Sequence, residues 1–379
     1  MKYFRIAGEA SGDMHAANLM RELKVADEQA DFCFLGGDLM QAQGGRMVMH
    51  YRQMAFMGLW NVMMNLQTVL NNMKVCKQAI LDYRPDVVIL VDYPGFNLRI
   101  ARFVKENTSV PVYYYIAPKI WAWKEYRIKQ IKLYVDKIFS ILPFEKDFFA
   151  KHQYQVDYVG NPSVDSIFTR PNQHQNRQEF ISKNGLDNRP IIAILSGSRK
   201  QEISKCLPRM LEGALSFKDY QLVIAVAPGI DDSFYHSFVA NTSVKLVCGQ
   251  TYELLQHASA AVINSGTATL EAALIGVPQV VVYHITLVKL IYPHRRLLFK
   301  IKWFSLVNLI AEKEAVKELI EVFTVETVNA ELERLLNDTA HRQNMLNDYA
   351  QIRMKLGETG TAKRTATMMV DYLNSNLKN

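Results

Sequence analysis

The chain lacks the short motifs that assign a protein's chemistry at a glance. No glycine loop has the G-x-G-x-x-G spacing of a dinucleotide site, and neither a Walker loop nor a G-x-S-x-G elbow occurs. Asp-x-Asp and H-E-x-x-H are also missing and the nine histidines are dispersed, so the expectation is no metal and no cofactor. Cysteine is scarce: Cys33, Cys76, Cys206 and Cys248 form no C-x-x-C pair, which suits a reduced cytosolic protein without structural zinc. No apolar run reaches the roughly eighteen residues of a membrane-spanning helix. The first residues run straight into a strand-like segment, without the long apolar core of a signal peptide.

What is present fits two α/β domains, since 379 residues at 49% hydrophobic and 21% charged can fill two cores. A formal charge of +7 suits an anionic partner: nucleic acid, a phosphorylated substrate or a membrane face. The first apolar run, residues 3–7, ends in Gly8-Glu9-Ala10-Ser11-Gly12-Asp13, and a helical pattern follows over 14–24. Two readings stand for this loop. It is a functional loop at the carboxyl edge of a parallel sheet, or a tight turn with Asp13 capping the helix.

Residues 86–91 are near-continuously apolar and β-branched, as in a central parallel strand, and Asp92 stands at the tip. That carboxylate is placed either for chemistry or for a local turn. Residues 54–75, with Met57 among many methionines, read as a buried helix or as a lipid-facing surface. Trp121 and Trp123 flank one alanine between lysines, as a stacking or amphipathic surface or as packing under the sheet.

Residues 169–177 hold no large apolar side chain and mark a linker, after which strand–loop–helix units resume. Two loops there suit phosphate. Ser196-Gly197-Ser198-Arg199 ends in a cation, and Ser265-Gly266-Thr267 joins a strand to a helix whose dipole would face an anion. Glu271, a turn further on, is either a surface glutamate or an acceptor for sugar hydroxyls. Residues 290–304 interleave basic and bulky side chains, including Arg295, Arg296 and Trp303, as an interfacial surface or a core helix with a solvated edge. The alternation on both sides of the polar segment predicts two doubly wound domains facing one cleft.

In order along the chain, residues 8–13, Gly36-Gly37 with Met40, Met57-Gly58, Pro85-Asp86 with Asp92, Trp121-Ala122-Trp123, residues 142–145, Gly197-Ser198-Arg199 with Glu202, and residues 265–268 with Glu271 resemble the lipid-A-disaccharide synthase family. The resemblance spans residues 5 to about 312 and includes residues 306–311. It implies a GT-B-like fold: α/β, two Rossmann-like domains about a central cleft, with a helical C-terminal segment. Residues 1–168 would be the acceptor-side domain, 169–340 the UDP-sugar domain, and 341–379 helices packing back across both.

The resemblance also implies a metal-independent, inverting transferase. It would join UDP-2,3-diacylglucosamine to 2,3-diacylglucosamine 1-phosphate in a β-1,6 linkage, releasing UDP. By motif, Asp92 corresponds to the general base with Glu9 beside it. Ser198, Arg199, Ser265, Gly266, Thr267, Glu271 and Asn308 correspond to UDP-sugar contacts. Ser11, Asp13, Met57, Trp121, Trp123, Arg295 and Arg296 fall on the acceptor and lipid side. The implied partners are the two acylated sugars and the inner face of the cytoplasmic membrane, with no nucleic acid; a homodimer is compatible with the helical C-terminus. The other readings are a UDP-N-acetylglucosamine 2-epimerase, a MurG-like transferase, or a non-catalytic membrane-associated nucleotide-binding protein.

Overall fold

β-Branched and aromatic runs cut by glycine, proline and aspartate build two separate sheets, parallel throughout. The computed structural model of the protein describes residues 1–54, 66–284, 301–320 and 323–376. It divides into two units, Met1–Pro162 with Gly360–Asn379, and Ser163–Thr359.

The first unit holds β1 (Lys2–Ala7), β2 (Asp31–Gly36), β3 (Arg46–His50), β4 (Val87–Val91), β5 (Val112–Tyr115), β6 (Lys137–Ser140) and β7 (Asp157–Tyr158), in the order β3-β2-β1-β4-β5-β6-β7. Both faces are covered, which is why β4 is apolar at every position. Val88 and Leu90 join one core with Met73, Cys76 and Ile80 of the helix Leu66–Tyr83. Val87, Ile89 and Val91 join another with Ala16, Ala17 and Met20 of the helix Ala10–Ala26. The second unit holds β8 (Ile191–Leu195), β9 (Gln221–Val226), β10 (Lys245–Cys248), β11 (Ala258–Asn264), β12 (Gln279–Val282) and β13 (Lys317–Leu319), in the order β10-β9-β8-β11-β12-β13.

In each sheet the chain starts in the middle, runs outward to one edge, then returns to build the other side. The reversal lies between β1 and β4 in one unit and between β8 and β11 in the other. Such switch points leave a crevice at the carboxyl ends of the strands, where open α/β sheets bind ligands.

The unit boundaries differ from those expected. The first unit closes at Pro162 rather than 168, directly after Gly160-Asn161-Pro162. Residues 169–177 are no free linker, because their polar groups bond to the helix Thr251–His257 of their own unit. Arg170 donates to Gln256 (2.5 Å), Asn172 to Glu253 (3.0 Å), and Gln256 to the Gln175 carbonyl (3.1 Å). The block 341–379 is split too. The helix Thr339–Leu356 stays in the second unit, whereas the helix Thr361–Asn376 sits in the first, where Ala366, Met369, Val370 and Leu373 complete the core around Ala10–Ala26.

Met57, Arg295 and Arg296 lie outside the described residues, as does most of the basic segment 290–304. Of the methionine-rich stretch, residues 55–65 also lie outside. In the helix that follows Met73 is buried, while Leu70 and Leu81 are exposed.

Candidate active site

At the first switch point Ala7 of β1 pairs with Val91 of β4, so loops 8–13 and 92–97 leave the sheet side by side. Gly8 lets them touch: a Cβ there would lie 2.3 Å from the Tyr93 ring. Asp92 and Tyr93 both adopt left-handed backbone, with φ of 44° and 48°. Each such non-glycine residue costs on the order of 1–3 kcal/mol, so the surroundings must enforce it. Asn97, fully buried, donates to the carbonyls of Asp92 (2.7 Å) and Val91 (3.2 Å), the Tyr114 hydroxyl also donates to the Asp92 carbonyl, and the Tyr93 hydroxyl donates to Met54 O (2.8 Å).

Burial raises the Asp92 carboxyl above the ordinary carboxylate range, while the Lys119 charge and the Tyr93 amide pull it back. Burial, and then the charge of Glu9, raises the Tyr93 phenol. The Lys119 charge thus reaches Asp92 and the Glu9 charge reaches its neighbour Tyr93, both at the tip of β4. Glu9 is half-buried at the N-cap of Ala10–Ala26, and Ser11 is exposed in the first turn.

Asp13 has a different task from the one expected. It is buried and neither caps its own helix nor faces outward. Its carboxylate accepts from the amides of Gly37 (2.7 Å), Leu39 (3.1 Å) and Met40 (3.2 Å), holding the start of the helix Asp38–Ala42. Asp13→Ala leaves those donors without their acceptor, so unfolding free energy should fall by about 2 kcal/mol. Thermal denaturation checks this; an unchanged Tm would show the cap to be dispensable.

The tryptophan pair is also divided. Trp121 is buried, its Nε1 donates to Glu145 (3.1 Å), and its ring meets Phe144 edge-on at 4.9 Å. It packs below the surface and is withdrawn as a lipid contact. Trp123 is 57% exposed, with the Lys124 ammonium 3.8 Å from its ring centroid.

At the second switch point Leu195 of β8 pairs with Ile263 of β11, which brings the two small-residue loops together. Gly197, at φ 113°, lies so close that a Cβ would stand 2.6 Å from Asn264 Nδ2 and 2.9 Å from Glu202 Oε2. Glu202 organises the loop, accepting from the Ser198 amide and from Arg199 Nη1, both at 3.2 Å. Beside it the helix Thr267–Ile275 begins without a side-chain cap, and Gly266 and Thr267 are exposed. Its first amides are therefore oriented for an anion. Glu271, on the same helix, accepts from the Tyr252 hydroxyl (3.2 Å), and burial raises its carboxyl.

Asn308 does not fit a direct contact. It is fully buried and its amide is saturated: Oδ1 accepts from the amides of Ala315 (2.8 Å) and Val316 (2.9 Å), while Nδ2 donates to Val316 O and Glu318, both at 2.9 Å. Four bonds are all an asparagine side chain can make. It clamps the loop ahead of β13.

The residues found only in the structure are Asn97, Lys119, Glu145, Glu202 and Tyr252. Glu202 and Glu145 stand inside sequence motifs already noted. Lys119 is one of the lysines flanking the tryptophan pair, and Asn97 serves the carbonyls of Asp92 and Val91, five and six residues back. Tyr252 meets Glu271 19 residues on and carries no local signal.

The sequence profile of the family described as lipid-A-disaccharide synthetase matches residues 3–370. A lipid-A-disaccharide synthase from Myxococcus xanthus (strain DK1622) is 38% identical over 376 residues, 97% of this chain and 96% of the relative. The chain belongs to the lipid-A-disaccharide synthase family. Among solved structures, the UDP-GlcNAc 2-epimerase from Neisseria meningitidis bound to UDP-GlcNAc superposes with a TM-score of 0.68 at 14% identity, covering 100% of both chains. The calicheamicin glycosyltransferase superposes at 0.59 and 15% identity, covering 100% of this chain and 99% of its own. At such identities they establish the shared GT-B-like fold and not the reaction, so the epimerase reading gains nothing over the synthase family. Among the described residues no three His, Cys, Asp or Glu side chains group to hold a metal ion. No described helix is long and apolar enough to cross a membrane.

Proposed function

We propose that this synthase transfers 2,3-diacylglucosamine from UDP to the primary hydroxyl of 2,3-diacylglucosamine 1-phosphate with Asp92 as general base. Asp92 takes the hydroxyl proton as the oxygen attacks the anomeric carbon from the side opposite UDP. The sugar–phosphate bond breaks, the configuration inverts, and UDP carries away the bonding pair. A base near the acceptor and a cation-rich cradle for the leaving diphosphate are what this reaction requires. Arg199, the amides at Gly266 and Thr267, and the hydroxyls of Ser198, Ser265 and Thr267 supply the cradle. Glu271 receives ribose hydroxyls, and Glu9 with Ser11 orients the acceptor. The reading rests above all on Asp92, a desolvated carboxylate on strained backbone at a switch point. Its test is incubation with both acylated sugars and mass spectrometry for the disaccharide 1-phosphate. Absence of that product from folded protein would overturn it.

The acylated substrates imply work at the inner face of the cytoplasmic membrane. In support, Trp123 (57% exposed), Tyr126 (66%) and Leu133 (66%) project beside Lys124, Arg127, Lys129 and Lys132. Aromatic and basic side chains so mixed suit an anionic lipid surface. Vesicles with anionic lipid should pull the protein down in a salt-sensitive way. Equal binding to neutral vesicles would argue against this surface.

A further inference from the structure

One buried acid lies outside the proposed reaction. Glu145 opens the helix Glu145–Lys151 just beyond β6 and is 1% exposed. A carboxyl so placed ordinarily needs a cation or several donors. Its donors are neutral: Trp121 Nε1 to Oε1 at 3.1 Å, the Leu142 amide to Oε2 at 3.3 Å, and the Ile141 amide. Burial pushes this acid up to about 7, against these three bonds and the charge of Lys119.

Lys119 ties Glu145 to the reaction: Val91 of β4 pairs with Tyr115 of β5 and the Asp92 amide donates to Tyr115 O (3.3 Å), so the segment that carries Lys119 leaves β5 beside Asp92. Its ammonium lowers two carboxyls, those of Asp92 and Glu145. The lysine is exposed, so its position depends on its backbone. That backbone is tightly turned: the Ile120 amide donates to Pro118 O (2.6 Å) and the Ala122 amide to Lys119 O (3.2 Å). Ile120 is buried beside it, and Trp121 is gripped by Glu145 and by Phe144.

We propose that Glu145 is a positioning residue for the transfer: by gripping Trp121 it fixes residues 118–122 and so keeps the Lys119 charge on Asp92. This rests on the reading of Asp92 as the base. Around Glu145 the other titratable groups are Lys119 and Tyr158 of β7, whose phenol also feels Arg364. Around Asp92 they are Lys119, Tyr114, which also feels Arg127, and the adjacent Tyr93, whose phenol feels Glu9. Ionised, Glu145 accepts its N–H bonds at full strength and holds the loop. Neutral, one of its oxygens carries a proton and the grip weakens. The rate should therefore rise as pH passes upward through about 7, above the limb that belongs to Asp92.

The experiment is UDP release from both acylated substrates across pH for Glu145→Gln, Trp121→Phe, Lys119→Gln and Asp92→Asn, with Tm measured alongside. Glu145→Gln and Trp121→Phe should lower kcat about 10-fold, in keeping with small misplacements near reacting groups. Both should flatten the inflection near pH 7 and leave KM for the UDP-sugar unchanged. Lys119→Gln should move the acid limb upward by about half a pH unit, the sign for a carboxylate losing a nearby cation. A lower Tm with wild-type kcat and an unaltered inflection in the first two variants would overturn the proposal, leaving Glu145 a purely structural acid. If Glu145→Gln does not fold, Trp121→Phe and Lys119→Gln decide: wild-type profiles in both overturn it. Wild-type turnover by Asp92→Asn would instead refute the base itself, whatever the Glu145 variants do.

Discussion

Asp92→Asn is expected to lower kcat for disaccharide formation by about 10²–10⁴-fold, the usual contribution of a positioned base. Binding of UDP should be unchanged, since the cradle proposed for the nucleotide belongs to the other unit. Asparagine keeps the size and hydrogen-bonding reach of aspartate but takes up no proton. It is also among the residues that best tolerate left-handed backbone, so the strained tip at φ 44° should survive. Folding and chemistry are therefore separable in this variant. The wild-type pH profile follows from the same site. Burial raises the Asp92 carboxyl, so the active ionised form is lost at a higher pH on acidification than for a solvated aspartate. Turnover of the variant at the wild-type rate, or a limb at the ordinary aspartate value, would refute the assignment.

Arg199→Ala should lower kcat by about 10²–10³-fold, the scale for removing one donor to a developing negative charge. Arg199→Lys should restore only part of this, because one ammonium cannot reproduce a forked pair of bonds to phosphate oxygens. Nη1 of Arg199 pairs with Glu202 at 3.2 Å, and its side chain is 57% exposed. An exposed pair of this kind contributes little to stability, so the variant should unfold within a few degrees of wild type. Steady-state kinetics with UDP titration calorimetry checks both halves. A variant with intact kcat and intact UDP affinity would move the diphosphate elsewhere.

The sequence announces the positions of both candidate loops because their setting is local: an apolar strand, then small residues, then a helical pattern. Parallel strands buried on both faces leave that trace, and so do glycines at close approaches such as Gly8 and Gly197. Side-chain duties were less legible where the partner is distant. Asp13 bonds to amides 24 to 27 residues away. Trp121 finds Glu145 24 residues on, and the two tryptophans separate because only one reaches it. Asn308 looked like a contact because its motif is local, yet its amide is spent on the loop that follows. The unit boundary is illegible for a related reason: polar composition resembles a linker, whereas Arg170 and Asn172 satisfy that polarity against one helix.

The last helix of the chain completes the first domain's core, and this bears on how the protein is made. Met369, Val370 and Leu373 reach the ribosome's exit roughly 200 residues after Pro162, a delay of about 10–40 s at ordinary elongation rates. Until then the face of the Ala10–Ala26 helix that they cover stays exposed, while the second domain is emerging. The domain that starts first therefore finishes last, and a premature stop near residue 360 spares the second domain but leaves the first with an open core.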